Sequence, residues 1–207
     1  MKKKTSQTKS KFVAVASIAA ELSEVMDVAK EISLAAANAK AIAFRAGEKA
    51  RGFQPITDFI NELAKETIEK VNRINEHAML LYQLTVEEYR TTDAFNKFEE
   101  VIRLAQGSAN ESSLKASSDL VQQRMHDCRK RFQVNIDQLL DQLQEVMHPA
   151  RAARVIAANS RIEASQAGEY LQSLQAVAES VDHAAQIIHD NVQGCRSALI
   201  VINFSEK

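Results

Sequence analysis

The side chains in this chain that could carry catalytic chemistry are five histidines and two cysteines. A helical metal site needs two imidazoles three or four residues apart, and no two of these histidines have that spacing. The consecutive residues His126, Asp127 and Cys128 point in different directions on a helix, so they cannot share the hydrogen bond that activates a nucleophile. No phosphate-binding loop, nucleophile elbow or dinucleotide fingerprint is present. We therefore expect no enzymatic activity and no metal or cofactor. The histidines are His77, His126, His148, His183 and His189.

One sequence motif occurs twice, and its charged residues are better suited to binding a partner than to catalysis. From Asn38 the chain reads NAKAIAFRAGE, and from Asn159 it reads NSRIEASQAGE. The asparagine, an alanine five residues later (Ala43 and Ala164) and the closing Ala-Gly-Glu have the same offsets in both copies. Because internal repetition bears on the whole architecture, we interpret the copies as two tips or joints of one elongated helical molecule.

The composition predicts long helices that position these residues. In 207 residues there are only five glycines, two prolines and no tryptophan, too few for a sandwich, a barrel or a Gly-loop enzyme. The net charge of −1 argues against an electrostatic nucleic-acid binder. The first eleven residues contain five lysines, which leaves two interpretations open. This segment could make weak contact with an anionic membrane surface, or it could be a solubilising disordered tail. We favour the disordered tail.

The placement of the apolar residues predicts a cytoplasmic protein. No run of about 18 apolar residues is present, so we expect no transmembrane helix. The Lys-rich start and the apolar residues after it resemble a signal peptide, but Glu21, Glu24 and Asp27 follow on a heptad that continues. Cys128 and Cys195 occupy apolar heptad positions without a neighbouring ligand, which predicts buried, reduced thiols.

Four heptad runs, with steps that average 3.5 residues, predict four helices that each turn one seam towards a partner. The first run is Val15, Ile18, Leu22, Val25, Ala29, Ile32, Ala36 and Ala39. The second is Ile56, Ile60, Ala64, Thr67, Val71, Ile74, Ala78 and Leu81. The third is Leu114, Val121, Met125, Cys128, Phe132, Leu139, Leu143 and Val146, with Ser118 and Asn135 as weak positions. The fourth is Leu171, Leu174, Ala178, Val181, Ala185, Ile188, Val192, Cys195, Leu199 and Ile202.

Few residues interrupt these runs. The cluster of turn residues at 107–113 predicts a loop in which Ser112 or Ser113 caps the next helix. The Thr91-Thr92-Asp93 segment predicts a local cap and kink or, failing that, a second helix that overhangs the first. Pro149 predicts a further discontinuity, because proline lacks a backbone donor and clashes with the preceding turn. Gly47 and Gly168 recur at the same place in the duplication, which indicates a tight turn.

The segment from Val25 to Ala64 resembles the signalling hairpin of methyl-accepting chemotaxis proteins, whose tip carries a run close to NAAIEAARAGExGRGF. The matching positions in the first copy include Asn38, Ala39, Ala43, Arg45, Ala46, Gly47, Glu48, Arg51, Gly52 and Phe53. The second copy keeps Val155, Ile156, Ala157, Asn159, Ile162, Glu163, Ala164, Ala167, Gly168 and Glu169. The first copy has Ile42 where the family has its tip glutamate; the second has Gln166 for the arginine and lacks the R-G-F motif.

The resemblance implies an all-α, elongated antiparallel bundle in which one chain imitates a receptor dimer as a four-helix pseudo-dimer of two hairpins. We expect a basic disordered tail at 1–10, a first hairpin at 11–106, a connector at 107–113 and a second, more divergent hairpin at 114–207. Both duplicated segments should then lie at the same end of the molecule, far from the connector.

The implied function is that of a soluble chemoreceptor-like signal-transduction protein acting through protein–protein contacts in a chemosensory array. Its expected partners are a chemotaxis histidine kinase, a coupling protein or other chemoreceptors, with further association of the chain left open. Arg and Glu are costly to bury in a helical seam but available at a tip, where they form charge-assisted contacts. The predicted partner-binding residues are Asn38, Arg45, Glu48, Arg51, Phe53, Asn159, Glu163 and Glu169.

Blander interpretations also stay open. The two asparagines could be buried polar residues that fix the helical register, and Arg45 with Glu48 could be a simple surface pair. The whole protein could be a structural or adaptor coiled coil of relic receptor ancestry that binds another helical partner.

Overall fold

The computed structural model of this protein describes residues 2–107 and 110–204, with side chains described for residues 11–107 and 110–203. Four long helices account for nearly all of these residues, which confirms the expectation of an all-α fold. The helices are α1 (Lys2–Ala46), α2 (Phe53–Leu104), α3 (Glu111–Ala164) and α4 (Leu171–Phe204). Within the described residues, no helix has a stretch both long and apolar enough to span a bilayer.

The helices form a closed antiparallel ring. Helix α1 packs against α2 and α4, and α3 packs against the same two helices. Helices α1 and α3 therefore occupy diagonal corners of a four-helix bundle and run in the same direction. The inward seams are the predicted heptads: all eight positions of the α1 run are buried. In α4 every position of the run after Leu171 is buried, whereas Leu114, Val121 and Met125 of the α3 run are only half-buried. The heptad pattern therefore identified most of the core.

The four-helix core ends at a layer of buried charge. Lys11 is only 3% exposed and lies 2.5 Å from the carboxylate of Glu88. Arg129 approaches the same carboxylate at 3.3 Å, and the Lys11 ammonium lies 4.3 Å from the centre of the Phe132 ring. Buried charges need partners of this kind because desolvation is costly. Beyond this layer α1 continues only through its residues 2–10, whereas α2 continues through residues 89–104 and pairs with residues 111–127 of α3. We call these segments of α2 and α3 the outer hairpin.

The predicted break at Pro149 is wrong, and at Thr91-Thr92-Asp93 the alternative that holds is a second helix that overhangs the first. Helix α3 continues through Pro149, which is itself buried, and the buried residues Val146, Ala150 and Ala153 on either side hold the helix in place. Helix α2 likewise continues through Thr91, whose hydroxyl donates to the carbonyl oxygen of Glu87 at 2.9 Å. At Pro149 the packing of the core outweighs a local cost of about 3 kcal/mol, whereas at Thr91 the hydroxyl bonds to a carbonyl of its own helix and the helix continues.

The connector and the N-terminus also differ from the predictions. Helix α2 ends at Leu104 and α3 begins at Glu111, so neither Ser112 nor Ser113 caps α3. The Glu111 carboxylate instead accepts a hydrogen bond from the backbone N–H of Gly107 at 2.8 Å. Helix α1 begins at Lys2, so residues 2–10 are helical rather than a disordered tail. No Gly or Pro interrupts that segment, and Lys is a good helix former. Met1, Ser108, Ala109 and residues 205–207 lie outside the described residues.

Candidate functional site

The two duplicated segments build the same turn. Gly47 has φ +58° and Gly168, its equivalent, has φ +60°. Each glycine starts a short 3₁₀ helix, at Gly47–Ala50 and Gly168–Tyr170, before the returning α-helix begins. A side chain at such a left-handed φ is strained, so the closing Ala-Gly-Glu supplies the residue that lets each hairpin reverse. The prediction of a tight turn at both glycines is confirmed.

The core beneath the turns follows the same repeat. Residues 121 positions apart, the separation of Asn38 from Asn159, take equivalent places. Phe53 and its equivalent Leu174 are both fully buried, as are Ala43 and its equivalent Ala164. Small alanines let the two turns approach closely, and the two larger residues fill the space between them. The second copy therefore lost the R-G-F sequence but kept a large apolar residue where packing needs one. We call the cluster of buried residues beneath the two turns the tip core; it consists of Ala39, Ala43, Ala50, Phe53, Ala164, Ala167 and Leu174.

Direct contacts join the two turns. Lys49 of the first turn lies 3.8 Å from the carboxylate of Glu169 in the second. The Glu163 side chain occupies the space that a Cβ on Gly52 would need. These contacts, together with the shared tip core, confirm the prediction that both duplicated segments lie at one end of the molecule. We call this end the tip.

Polar contacts across each hairpin also repeat. In the first hairpin, Ser33 donates a hydrogen bond to Asn61 at 2.7 Å. Their equivalents in the second hairpin, Arg154 and Asp182, form an ion pair at 3.6 Å. The same pair of positions therefore bridges the helices in both hairpins, first as a neutral bond and then as a charged one. The repetition extends from the turn well into the helices.

Six of the eight predicted partner-binding residues are exposed at the tip: Asn38, Arg45, Glu48, Arg51, Asn159 and Glu169. Phe53 is 0% exposed and belongs to the tip core, so its assignment to a binding surface is wrong. Its aromatic ring is needed inside, where it offsets the small volume of the surrounding alanines. Glu163 is half-buried against Gly52 and lies between the hairpins.

The structure also bears on the two alternative interpretations, that the asparagines fix the helical register and that Arg45 and Glu48 form a simple surface pair. Asn38 and Asn159 are exposed, so they do not act as buried register-fixing residues. Glu48 pairs with Arg51 at 3.4 Å rather than with Arg45, and both side chains of the pair are more than three-quarters exposed. A pair of this kind adds little stability because solvent screens it. Its groups stay accessible to a partner.

Sequence reasoning missed an apolar surface near the tip. On α1, Leu34 and Phe44 are 65% and 78% exposed. On α3, Val155 and Ile162 are 63% and 62% exposed. Exposed alanines complete both rows, which we call the outer stripes: Leu34, Ala37, Ala41 and Phe44 on α1, and Val155, Ala158 and Ile162 on α3.

The outer stripes occupy equivalent positions in the two copies, since Leu34, Ala37 and Ala41 correspond to Val155, Ala158 and Ile162. Their steps of three and four residues are those of a helical seam, which is the signal that could have revealed them. Because α1 and α3 lie at diagonal corners, the bundle presents one apolar stripe on each of two opposite sides. Such rows on a helix are suited to packing against a further helix.

The two thiols offer no reactive centre. Both cysteines are free and buried, which confirms the predicted burial. Burial raises the pKa of the Cys128 thiol to about 11, and the carboxylates of Glu87 and Glu88 act in the same direction. Burial likewise raises the pKa of the Cys195 thiol, with a further contribution from Glu21. Among the described residues, no three His, Cys, Asp or Glu side chains are grouped so that they could hold a metal ion.

No protein-family model, curated protein or solved structure gives a significant match to this chain.

Proposed function

We propose that this protein is a cytoplasmic chemoreceptor-like signal-transduction protein that acts by protein–protein contacts in a chemosensory array. Its partners in this proposal are a chemotaxis histidine kinase, a coupling protein or other chemoreceptors. The binding surface is the tip, where the outer stripes lie beside the exposed charged residues of the two turns.

The observation that carries the proposal is the equivalence of the two outer stripes. An apolar row exposed once can be incidental, but here the same three positions are exposed and apolar in two copies of one sequence. The copies differ in character at other positions nearby, where Ile42 corresponds to Glu163 and Arg45 to Gln166. A helix-binding surface explains why both stripes stay apolar although burial in the bundle does not require it.

The charged residues of the turns complete this surface. Arg45, Arg51 and Glu48 are exposed next to the α1 stripe, and Glu169 is exposed in the second turn. An apolar centre with a charged rim is the arrangement of many protein interfaces, in which the rim supplies specificity. Ile42 is half-buried where the chemoreceptor motif has a glutamate, which alters the rim chemistry and thereby the choice of partner.

A second candidate function is that of an adaptor coiled coil that binds a different helical partner through the same stripes. Two diagonal stripes favour it independently of any receptor ancestry, because one molecule can then bridge two helices. The two candidates share the surface and differ in the partner.

Pull-down with the host's histidine kinase and coupling protein tests the proposal. We expect the wild type to retain these proteins, and we expect Phe44→Asp combined with Ile162→Asp to weaken retention about tenfold or more. The charge reversals Arg45→Glu and Arg51→Glu should weaken it as well, with helicity unchanged. The matched control is Phe59→Asp, because Phe59 is 57% exposed on α2 and outside both stripes.

Two outcomes would count against the proposal. Failure of the wild type to retain either array protein, together with stripe-dependent binding of an unrelated helical protein, favours the adaptor function. Equal weakening by Phe59→Asp and by the stripe variants means that the stripes are not the binding surface.

A further inference from the structure

The opposite end of the molecule carries an apolar seam that the chain itself does not cover. The continuous core includes Leu84 on α2 and Cys128 on α3 but no residue of the outer hairpin. The heptad nevertheless continues along α2 through Phe95, Phe98 and Ile102, which are all half-buried. On α3 the continuation is Leu114, Val121 and Met125, again half-buried. We call these six residues the outer seam. In the bundle such a seam packs against two further helices, and both of those places are vacant beyond the N-terminus of α1.

Nothing else in the sequence can fill those places with apolar groups. Residues 2–10, which lead into Lys11 on α1, are Lys, Thr, Ser and Gln throughout. Helix α4 reaches only the level of Gln133, which donates a hydrogen bond to Asn203 at 2.9 Å. Outside the described side chains the apolar residues are Met1, Ala109 and Phe204 alone. These segments therefore offer the outer seam no run of apolar residues.

We propose that the partner of the outer seam is a second copy of the chain, and that two outer hairpins pack around a twofold axis as a four-helix segment. The seam supplies two helices, and its own twofold copy supplies the two that are missing, so the bundle arrangement continues across the dimer. This proposal concerns the end opposite the tip and does not rest on the proposed function.

The charge of the outer hairpin is compatible with self-association. Residues 90–104 and 111–127 contain five Lys or Arg and six Asp or Glu, with the two signs interspersed. Several are already paired within a helix, such as Lys97 with Asp93 at 2.7 Å and Lys115 with Glu111 at 2.6 Å. A surface with one dominant sign would repel its own copy, whereas a mixed and nearly neutral one does not.

The size of the seam sets the expected strength. The outer hairpin is about 25 Å long at 1.5 Å per residue and about two helix diameters wide, which corresponds to about 500 Å² per copy. The total of about 1,000 Å² lies at the low end for a specific interface. The dimer should therefore form and dissociate with concentration rather than persist at high dilution.

Sedimentation velocity over about 2 to 500 µM protein tests the dimer. We expect the wild type to pass from monomer to dimer in this range and Ile102→Asp to remain monomeric at every concentration. The matched control is Val101→Asp, because the neighbouring Val101 is 45% exposed and off the seam. It should dimerise as the wild type does. Circular dichroism of both variants checks that the helices persist.

A second measurement keeps the test independent of these substitutions. A nitroxide at position 96 of the wild-type background, measured by pulsed electron resonance at high protein concentration, should report an intermolecular distance below about 50 Å, since both copies place the label within the paired hairpins. A monomer at every concentration would overturn the proposal and leave the seam to a partner of another kind. It would also be overturned if Phe44→Asp, at the tip, abolished dimerisation while Ile102→Asp did not, or if Val101→Asp abolished it as fully as Ile102→Asp.

Discussion

At the scale of single residues, the duplicated glycines show how one repeated sequence motif produces two similar turns. Gly47 and Gly168 have positive φ, whereas Gly52 has φ −68°, which any residue can adopt. A Cβ at Gly47 meets no atom within 4 Å, so only the backbone opposes a side chain there. A Cβ at Gly52 meets the end of the Glu163 side chain, which can rotate away. The three glycines therefore differ in the physical reason for their presence.

We predict that Gly47→Ala and Gly168→Ala each lower the free energy of unfolding by about 1 kcal/mol, because alanine is strained in the left-handed region. Urea denaturation followed by circular dichroism measures the change. Gly52→Ala is the matched control and should change stability by less than about half as much. If Gly52→Ala is as harmful as the other two, crowding rather than backbone conformation explains these glycines.

Two phenylalanines near the tip allow a comparison of buried and exposed aromatic rings. Phe53 is 0% exposed, whereas Phe44 is 78% exposed. We predict that Phe53→Ala lowers the free energy of unfolding by about 3 to 5 kcal/mol, since it leaves a cavity in the tip core. Phe44→Ala should change it by less than about 0.5 kcal/mol. Thermal and urea unfolding measure both values, and similar losses for the two variants would contradict the assigned burial.

At the scale of helices, the heptads predicted the inward seams because burial on a long helix leaves a period that a sequence displays directly. Val15, Ile18 and Leu22 were identified in this way and are buried. The same reasoning failed at Pro149, because a local helix-breaking preference does not report the packing that holds a helix from outside. At Thr91 the expected cap and kink did not form, because the hydroxyl bonds to a carbonyl of its own helix. Sequence reasoning also missed the outer stripes, because an inward seam had already been assigned on those helices. Phe53 was misplaced because motif resemblance carries no information about burial.

The structure also divides each of α2 and α3 into a part inside the four-helix core and a part in the outer hairpin. Among the described residues of the outer hairpin only Ser118 is buried, whereas the inner parts contribute a continuous core. Local opening should follow this difference, since few buried contacts oppose it in the outer hairpin. We predict that backbone amides at 90–104 and 111–125 exchange at least about tenfold faster than those at 64–81 and 136–150.

Hydrogen exchange with mass spectrometry at low micromolar protein, where the proposed dimer should be dissociated, measures these rates. Higher protein concentration should slow exchange in the outer hairpin and leave the inner parts unchanged. Uniform protection along the whole of α2 at low concentration would show that the outer hairpin is as stable as the core.

At the scale of the whole molecule, the two hairpins depend on each other. The core draws residues from all four helices, such as Ile18 on α1, Ile74 on α2, Leu139 on α3 and Ile188 on α4. A hairpin alone would expose half of this core to water, at a cost that rises with the apolar area exposed. The connector at 105–110 therefore joins two halves that already have to associate.

We predict that cutting the chain within this connector leaves the bundle intact. Residues 1–107 and 108–207, produced together as separate chains, should co-purify as a one-to-one complex with the helicity of the intact protein, because the cut removes a tether and no core contact. The apparent stability of the complex against unfolding should depend on protein concentration, as for any two-chain assembly. A nitroxide pair at positions 45 and 166 should report the same short distance in the complex as in the intact chain, since both positions lie at the tip. If each half instead purifies alone as a helical monomer, the hairpins are independent units. The similarity of the two turns would then come from the duplication alone, without packing of one turn against the other.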